Sequence, residues 1–253
     1  GEDNVVAIAP TYGMYSVAAA INNVNVREVP LAADTYALDI EAMLRAVDEH
    51  TRLMWVCSPN NPTGNAFPLS ELEQLATRFD GVLVVDEAYI DFSDKGSMLS
   101  VLSHHPNVVV LQTLSKAWGM AGLRLGLAFA SSEVAALFAH VKYPYNVNGP
   151  TQREVMQRLA TEAHDEHVAE VIRERQALSS ALLSASCVVR VYPSDANFLL
   201  IKVRDADALY AHLVAKGIIV RNRHRVPGCK NCLRLTIGTP EENVRLLQAI
   251  QSF

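Results

Sequence analysis

The amino-acid sequence predicts an α/β fold in which a large domain with a mainly parallel sheet precedes a small α+β domain at the C-terminus. Half of the 253 residues are hydrophobic, which is enough to bury a substantial core. In the first half of the chain, short apolar runs alternate with helical patterns, as they do in parallel β-α units. This alternation breaks near residue 145, so the predicted domains are 1–145 and 146–253.

The elements of the large domain follow from hydrophobic periodicity and from the turn residues between apolar runs. Its predicted strands are 5–9, 24–29, 53–57, 82–85, 108–111 and 123–130. Its predicted helices are one after Gly13 with Val17, Ala20 and Ile21 on its apolar face, those at 39–50 and 69–79, and one that Ser131 caps and that reaches Lys142. The serine hydroxyl can accept from a free backbone N–H at a helix start.

The second half begins after a segment rich in Tyr, Asn and Pro at 142–150. A long charged helical region from 152 to about 184 comes next, and a helix at 205–216 ends at Gly217. Thr239-Pro-Glu-Glu242 has the pattern of a capping box with proline at the first helical position, so it opens the last helix. The predicted strands of this half are 188–192, 197–203, 218–221 and 233–237.

Three predicted strands of the large domain end in polar side chains that can do chemistry. Asn61 follows the strand at 53–57, Asp86 and Tyr89 follow the strand at 82–85, and Ser115 and Lys116 follow the strand at 108–111. In open α/β sheets, ligands bind beyond the carboxyl ends of the strands. The sequence therefore predicts that these side chains share one pocket.

Lys116 is interpreted as an amine that captures a carbonyl group. Such an amine must be partly unprotonated near neutral pH, so it needs partial burial or a neighbouring cation, and Arg124 could be that cation. Lysines are mostly exposed and inert, so a solvated surface lysine is the alternative for Lys116 taken alone. For Asp86, the alternative is a strand-end carboxylate that backbone N–H groups satisfy.

Composition excludes several other classes of protein. The net charge of −5 and the isoelectric point near 5.9 give no basic face for nucleic acid, and no apolar run is long enough to cross a bilayer. We expect reduced thiols and no metal site, because Cys229-Lys-Asn-Cys232 lacks a second ligand pair. His164-Asp-Glu-His167 is interpreted as a solvated helix face. The acidic start of the chain leads straight into a strand, which favours a cytoplasmic protein.

Four segments resemble the PLP-dependent (pyridoxal 5'-phosphate) aminotransferases of the aspartate aminotransferase fold, and within them the histidinol-phosphate aminotransferases. These segments are Asn61-Pro-Thr-Gly64, Asp86-Glu-Ala-Tyr89, Ser115-Lys116 and Ala121-Gly-Leu-Arg124. Matching segments run in order from Pro10 to Thr239, so the resemblance covers essentially the whole chain. It implies a PLP-dependent transferase of fold type I that forms a homodimer.

The resemblance also implies a role for each residue of the predicted pocket. Lys116 would carry the cofactor and move a proton, and Asp86 would keep the ring nitrogen protonated. Tyr89 and Asn61 would donate hydrogen bonds to the ring oxygen, although Asn-Pro also favours a turn whatever the chemistry. Tyr12 would stack on the cofactor ring, and a tyrosine buried in the core is an equal alternative for this residue. Ser115 and Arg124 would hold the cofactor phosphate.

For the substrate, the resemblance points to two arginines of the small domain. Arg221 and Arg234 would form the anion site, which would meet in turn a substrate phosphate and the carboxylate of glutamate or 2-oxoglutarate. Arginine within a mostly apolar run is unusual, which agrees with a paired anion. Arg223 and Arg225 are interpreted as solvated loop charges.

The activity that the resemblance implies is transfer of an amino group from L-histidinol phosphate to 2-oxoglutarate in histidine biosynthesis, with small molecules as the only substrates. Alternatives within the same fold are an aromatic aminotransferase and a threonine-phosphate decarboxylase. An alternative of another class is an inactive fragment or dimerisation partner. Family members begin before the position that matches Gly1, with a glycine-containing loop that also holds the cofactor phosphate and an arm that packs on the partner subunit.

Overall fold

The computed structural model describes residues 2–161 and 164–253. The described residues form two sheets. The first sheet has the strand order β2-β1-β3-β4-β5-β6. Its strands are β1 (Asn4–Ala9), β2 (Asn25–Pro30), β3 (Thr51–Cys57), β4 (Val82–Asp86), β5 (Val108–Thr113) and β6 (Gly126–Phe129).

The sheet is parallel except at one edge. Strands β1 to β5 pair in parallel, whereas β6 runs antiparallel to β5, with Gly126 opposite Thr113. The chain reaches β6 through a short segment that contains Lys116 and Arg124, with no crossover helix. Parallel neighbours are usually joined through a crossover helix, and the segment between β5 and β6 forms no α-helix. The predicted strand is present, and it runs antiparallel to its neighbour.

The helices of the first half match the prediction in number and differ in detail. They are α1 (Met14–Ile21), α2 (Ile40–Arg45), α3 (Leu69–Arg78) and α4 (Ser132–Val141). Helix α2 ends well before residue 50, because the Asp48 carboxylate accepts the His50 N–H and its backbone N–H donates to Thr51, which forms a turn instead. Helix α1 buries Tyr15 and Ala19 rather than the predicted face, which is exposed.

The described residues of the second half form four α-helices and a four-stranded antiparallel sheet of order β7-β8-β10-β9. Thr239 and Glu242 form the predicted capping box of the last helix, and Gly217 has the positive φ expected after the preceding helix. The elements are α5 (Gly149–Thr161), α6 (His164–Leu182), β7 (Val188–Val191), β8 (Phe198–Val203), α7 (Ala206–Ala215), β9 (Arg221–Asn222), β10 (Cys232–Thr236) and α8 (Pro240–Gln251).

Each sheet has its own core. Side chains of the first sheet such as Val56 and Val85 pack with Leu72 and Leu75 of α3. Leu199 and Leu233 represent the second core, which lies between the small sheet and helices α6, α7 and α8. Burial of such side chains contributes roughly 1.5–3 kcal/mol each.

The predicted division at residues 145 and 146 falls in the segment between α4 and α5. Val155 of α5 packs against Leu114 and Met120, which flank Lys116 in the first half of the chain. Val168 of α6 packs with Tyr89 in the same way. Helices of the second half thus support the segments that follow β4 and β5, and the two-domain division stays a prediction.

Loops between the sheets meet at Gly64. The Asp195 N–H donates to the Gly64 carbonyl over 2.7 Å, and the Asp195 carboxylate accepts from the Ala66 N–H over 2.8 Å. Gly64 has φ +88°, and a Cβ at this position would lie 2.7 Å from the Ser194 Oγ. Only glycine fits both the backbone conformation and the close approach.

The interpretation of His164-Asp-Glu-His167 as a solvated helix face is wrong at His164. His164 does not lie on a solvated face: its ring stacks on Trp118 at 4.1 Å between centroids, and its side chain is 16% exposed. The four cysteines are free and buried. Within the described ranges, no group of three or more His, Cys, Asp and Glu side chains is placed to hold a metal ion, and no helix combines the length and apolarity needed to span a membrane.

Candidate active site

A cavity of about 760 Å³ lies at the carboxyl ends of β3, β4 and β5 and extends to the small sheet. These three strands are parallel neighbours, with Cys57 opposite Asp86 and Asp86 opposite Leu111. Side chains that follow the strands therefore meet at one edge of the sheet. All nine side chains proposed from the sequence line this cavity: Tyr12, Asn61, Asp86, Tyr89, Ser115, Lys116, Arg124, Arg221 and Arg234.

Lys116 is exposed on the cavity wall, and its Nζ lies 5.5 Å from the centroid of the Tyr89 ring. Partial burial of the ammonium group lowers the pKa of Lys116, and the positive charges of Arg234 and Arg124 lower it further. Asp86 opposes this effect. The lowered pKa increases the share of neutral amine, which is the form that can attack a carbonyl carbon.

Asp86 is held by two hydrogen bonds. Its Oδ2 accepts from the Tyr15 hydroxyl over 2.6 Å, and its Oδ1 accepts from the Ala88 N–H over 3.1 Å. Burial raises the pKa of the Asp86 carboxyl, and the Tyr15 hydrogen bond is the largest influence that lowers it. The Tyr15 ring stacks on Trp55 with 5.1 Å between centroids, so the donor is itself fixed. The result is a fixed carboxylate at the inner end of the cavity.

Asn61 and Tyr89 lie between this carboxylate and the small sheet. The Arg234 Nη1 donates to the Asn61 Oδ1 over 2.7 Å, which leaves the Asn61 amide nitrogen as a donor. The Arg234 guanidinium also lies over the Phe198 ring at 4.8 Å. Burial raises the pKa of Tyr89 to about 12, so its hydroxyl is a proton donor at neutral pH.

Ser115 and Arg124 flank the opposite wall, where the chain passes from β5 to β6. The Ser115 N–H donates to the Thr113 Oγ1 over 3.1 Å. Arg124 has a left-handed backbone with φ +56°, which is uncommon for residues other than glycine and typical of functional sites. Its Nη1 donates to the Ala121 carbonyl over 2.9 Å. A hydroxyl and a guanidinium together suit a bound anion.

Strands β9 and β10 and the residue that follows β9 together contribute three arginines rather than two. Arg221 lies directly opposite Arg234 in the antiparallel pair. Arg223 also lines the cavity and is half-buried, so its interpretation as a solvated loop charge is wrong. The Nε atoms of Arg223 and Arg234 are buried and have no hydrogen-bond partner. Arg225 is exposed, as expected.

A comparison with protein families gives the site its context. The family model described as aminotransferase class I and II matches residues 1–250. The chain belongs to this family. Among curated proteins, the histidinol-phosphate aminotransferase of Parabacteroides distasonis is 51% identical to this aminotransferase over all 253 residues, which cover 73% of that protein. The protein of the same name from Bacteroides thetaiotaomicron is 49% identical over the same shares of both chains.

Solved structures give the same fold. The histidinol-phosphate aminotransferase of Clostridium acetobutylicum superimposes with a TM-score of 0.92 over 99% of this chain and 77% of its own. Its sequence identity is 21%, so this similarity concerns the fold. The PLP-dependent fold type I expected from the sequence is confirmed.

Two side chains of the aminotransferase site were not identified from the sequence. Tyr15 lies one helical turn after Tyr12, and their rings meet edge to face at 5.7 Å, so helical spacing could have indicated a shared face. Arg223 lies two residues after Arg221, and the two-residue period of a strand could have placed both on one side of the sheet. Neither pattern predicts that Tyr15 contacts Asp86 or that Arg223 lines the cavity.

Proposed function

We propose that this aminotransferase uses PLP to transfer an amino group from L-histidinol phosphate to 2-oxoglutarate, giving imidazole acetol phosphate and L-glutamate. One observation carries the proposal: a single cavity combines an amine of lowered pKa with a held carboxylate and with arginines from both halves of the chain. The reaction needs sites for two anionic groups at once, those of the cofactor and the substrate. The high identity to two histidinol-phosphate aminotransferases supports this choice of donor.

The donor set of the cavity fits PLP. A pyridine nitrogen calls for a nearby carboxylate, and the Tyr15 hydrogen bond holds Asp86 in place for it. The phosphate calls for N–H and O–H donors, which Ser115 and Arg124 offer. The aldehyde calls for an amine, and Lys116 has the lowered pKa that this chemistry needs. When bound, PLP supplies the electron sink that lets a proton leave the carbon next to the amino group.

Asp86 would hold a proton at the ring nitrogen. At an effective dielectric near 20, a carboxylate about 4 Å from a cation contributes about 4 kcal/mol before desolvation. Tyr15 positions this carboxylate. Its hydrogen bond also opposes the effect of burial on the pKa of Asp86 and so favours the ionised form.

Asn61 and Tyr89 would donate to the oxygen on the ring. The Asn61 amide nitrogen is available because its oxygen is engaged by Arg234. The Tyr89 hydroxyl stays protonated because burial raises its pKa. Tyr12, which is 44% exposed at the cavity mouth, would cover one face of the ring.

Lys116 would move the proton as general base and then as general acid. Its lowered pKa increases the fraction of neutral amine, which is the form that can accept a proton. Arg221 and Arg234 would bind the anionic groups of the two substrates in turn. Because the two substrates would occupy this site in turn, one enzyme could use both a phosphorylated donor and a dicarboxylate acceptor.

Three further proposals concern assembly, location and rival functions. We propose a cytoplasmic homodimer, and the exposed apolar side chains of Val141, Tyr143 and Tyr145 support a subunit interface at this segment.

An aromatic aminotransferase or a threonine-phosphate decarboxylase is less favoured, because the relatives carry the name of another aminotransferase. The lowered pKa of Lys116 and the held Asp86 support turnover over a non-catalytic role.

Absorbance spectroscopy tests the proposal. Addition of PLP should produce a visible band, L-histidinol phosphate should bleach it, and 2-oxoglutarate should restore it. Borohydride reduction of the loaded protein, followed by peptide mapping, should label Lys116 alone among the six lysines. Lys116→Ala should give no label and should lower turnover by at least about 100-fold. A label on Lys95 or Lys142, or faster turnover of phenylalanine or threonine phosphate, would contradict the proposal.

A further inference from the structure

We propose that Arg223 binds the phosphate group of the amino donor together with Arg221, and that it makes the enzyme selective for a phosphate over a carboxylate. This inference rests on the proposed function and assigns to Arg223 the role of a specificity-determining residue. It concerns the substrate anion only, because Arg124 and Ser115 serve the cofactor phosphate.

The backbone aligns Arg223 with the other two arginines. Arg221 and Arg234 are directly opposite in the antiparallel pair β9-β10. The ladder continues past the end of β9, since the Arg223 N–H donates to the Cys232 carbonyl over 2.9 Å. Side chains two residues apart on a strand lie on the same face. Arg221, Arg223 and Arg234 therefore lie on one face of the small sheet, which is the face that borders the cavity.

This arrangement is costly unless an anion binds to it. Like charges directly opposite each other on a sheet are destabilising. Burial and the charge of Arg221 both lower the pKa of Arg223, and burial has the same effect on Arg234. Within the described part of the chain, no carboxylate forms an ion pair with any of the three.

The Nε atom of Arg223 is an unused hydrogen-bond donor that a ligand could engage. It is buried and has no hydrogen-bond partner, although a buried N–H normally has one. Arg223 lines the main cavity and also a neighbouring groove of about 520 Å³ that Tyr12 and Asn61 share. It therefore lies at the wall between the two, close to the residues proposed for the cofactor ring. Such an unpaired donor is well placed for a ligand oxygen.

The charge of the cavity indicates which anion this is. Its described lining includes five cationic side chains and one carboxylate. A phosphate monoester carries about −1.5 to −2 charge at pH 7 and has three acceptor oxygens, whereas a carboxylate carries one charge and two oxygens. One guanidinium can bind a carboxylate through two parallel hydrogen bonds. The additional charge and the third oxygen of a phosphate suit a group of several guanidinium groups.

The test compares two donors that differ only in the phosphate. Arg223→Gln should lower kcat/KM for L-histidinol phosphate by about 10- to 100-fold, because a charge-assisted contact is lost. The change for L-histidinol, and for the half-reaction with 2-oxoglutarate, should stay below about threefold, well under the tenfold that a 1.4 kcal/mol contact produces. Arg223→Lys should be intermediate, since it keeps the charge and loses the planar fork.

Arg225→Gln is the matched control, because it removes the same charge from an exposed position outside the cavity. It should leave the preference between the two donors unchanged. An equal loss for both donors in Arg223→Gln would mean a structural role and would overturn the inference. No loss for either donor would overturn it as well.

A binding measurement separates this inference from the proposed function. Calorimetric titration of the PLP-saturated protein with inorganic phosphate should show binding that Arg223→Gln weakens at least about tenfold. If the wild type binds phosphate in this way but does not turn over L-histidinol phosphate, the proposed function fails and the role of Arg223 stands. Equal phosphate binding by wild type and variant, or no binding by either, would overturn the role of Arg223 whatever the activity.

Discussion

The Tyr15 hydroxyl donates a 2.6 Å hydrogen bond to the Oδ2 of Asp86. The two residues are 71 positions apart, one in α1 and the other at the end of β4. Burial alone would favour a neutral Asp86, and the Tyr15 hydroxyl is the largest opposing influence on the pKa of this carboxyl. A tyrosine on a helix thus favours the ionised form of a carboxylate at a strand end.

Tyr15→Phe should weaken PLP binding by about tenfold or more, because the charge-assisted hydrogen bond to Asp86 is lost. It should also raise the pKa of Asp86, so the loss of affinity should grow as pH falls toward that pKa. Absorbance titration with PLP across a pH series measures both effects. Tyr12→Phe is the control, since it removes a hydroxyl at the cavity mouth that makes no contact with Asp86. Equal losses in the two variants would count against the role of Tyr15.

Arg221→Ala and Arg234→Ala should differ in their effect on the cofactor. Both remove a guanidinium from the substrate anion site, so both should lose about 1.5–3 kcal/mol of substrate binding. Only Arg234 also holds the Asn61 oxygen, so only Arg234→Ala should weaken PLP binding as well. The measurements are KM for L-histidinol phosphate and Kd for PLP.

A double-mutant cycle decides whether Asn61 transmits this effect. The variant that combines Arg234→Ala with Asn61→Ala should lose less PLP affinity than the sum of the two single variants, because the residues are in contact. Additive losses would mean that Arg234 acts on the cofactor by another route.

Most strands and most helix starts could be predicted from the sequence because the signals are local. The apolar runs at β3, β4 and β5 mark buried parallel strands, and the hydroxyl of Thr239 caps α8 within one turn. The direction of a strand in its sheet does not follow from a local sequence pattern. Periodicity alone does not give the antiparallel course of β6, which is seen only in its pairing with β5.

The parts of the site that were missed depend on contacts between distant segments. Arg223 reaches the cavity because β10 continues to pair beyond β9. The prediction that His164 is exposed was wrong because Trp118, from another segment, stacks on its ring. Motif residues such as Lys116 were found because neighbours in sequence define them. Side chains that support such residues from elsewhere in the fold leave no comparable local pattern.

Glu87 should matter for stability rather than for substrate binding. Its side chain is 2% exposed, and its carboxylate accepts from the Ser97 hydroxyl, the Met98 N–H and the Gln112 amide at 2.6, 2.7 and 3.0 Å. Glu87→Ala leaves these donors without an acceptor, so the free energy of unfolding should fall by about 2–4 kcal/mol. Urea unfolding measures this. Ser97→Ala, which removes one of the three hydrogen bonds, should cost about 1 kcal/mol, and equal costs would contradict the network.

The pKa of Lys116 should move in opposite directions when the charges around it are removed. Arg234 lowers this pKa, so Arg234→Gln should raise it, whereas Asp86 raises it, so Asp86→Asn should lower it. An amine reacts only when neutral, so the midpoint of its reactivity follows the pKa: Arg234→Gln shifts the midpoint to higher pH and Asp86→Asn shifts it to lower pH. The measurement is the labelling rate of Lys116 in cofactor-free protein by an amine-reactive reagent across a pH series, quantified by peptide mass spectrometry. Arg225→Gln should leave the midpoint in place, and a shift of both site variants in the same direction would show that these charges do not control the amine.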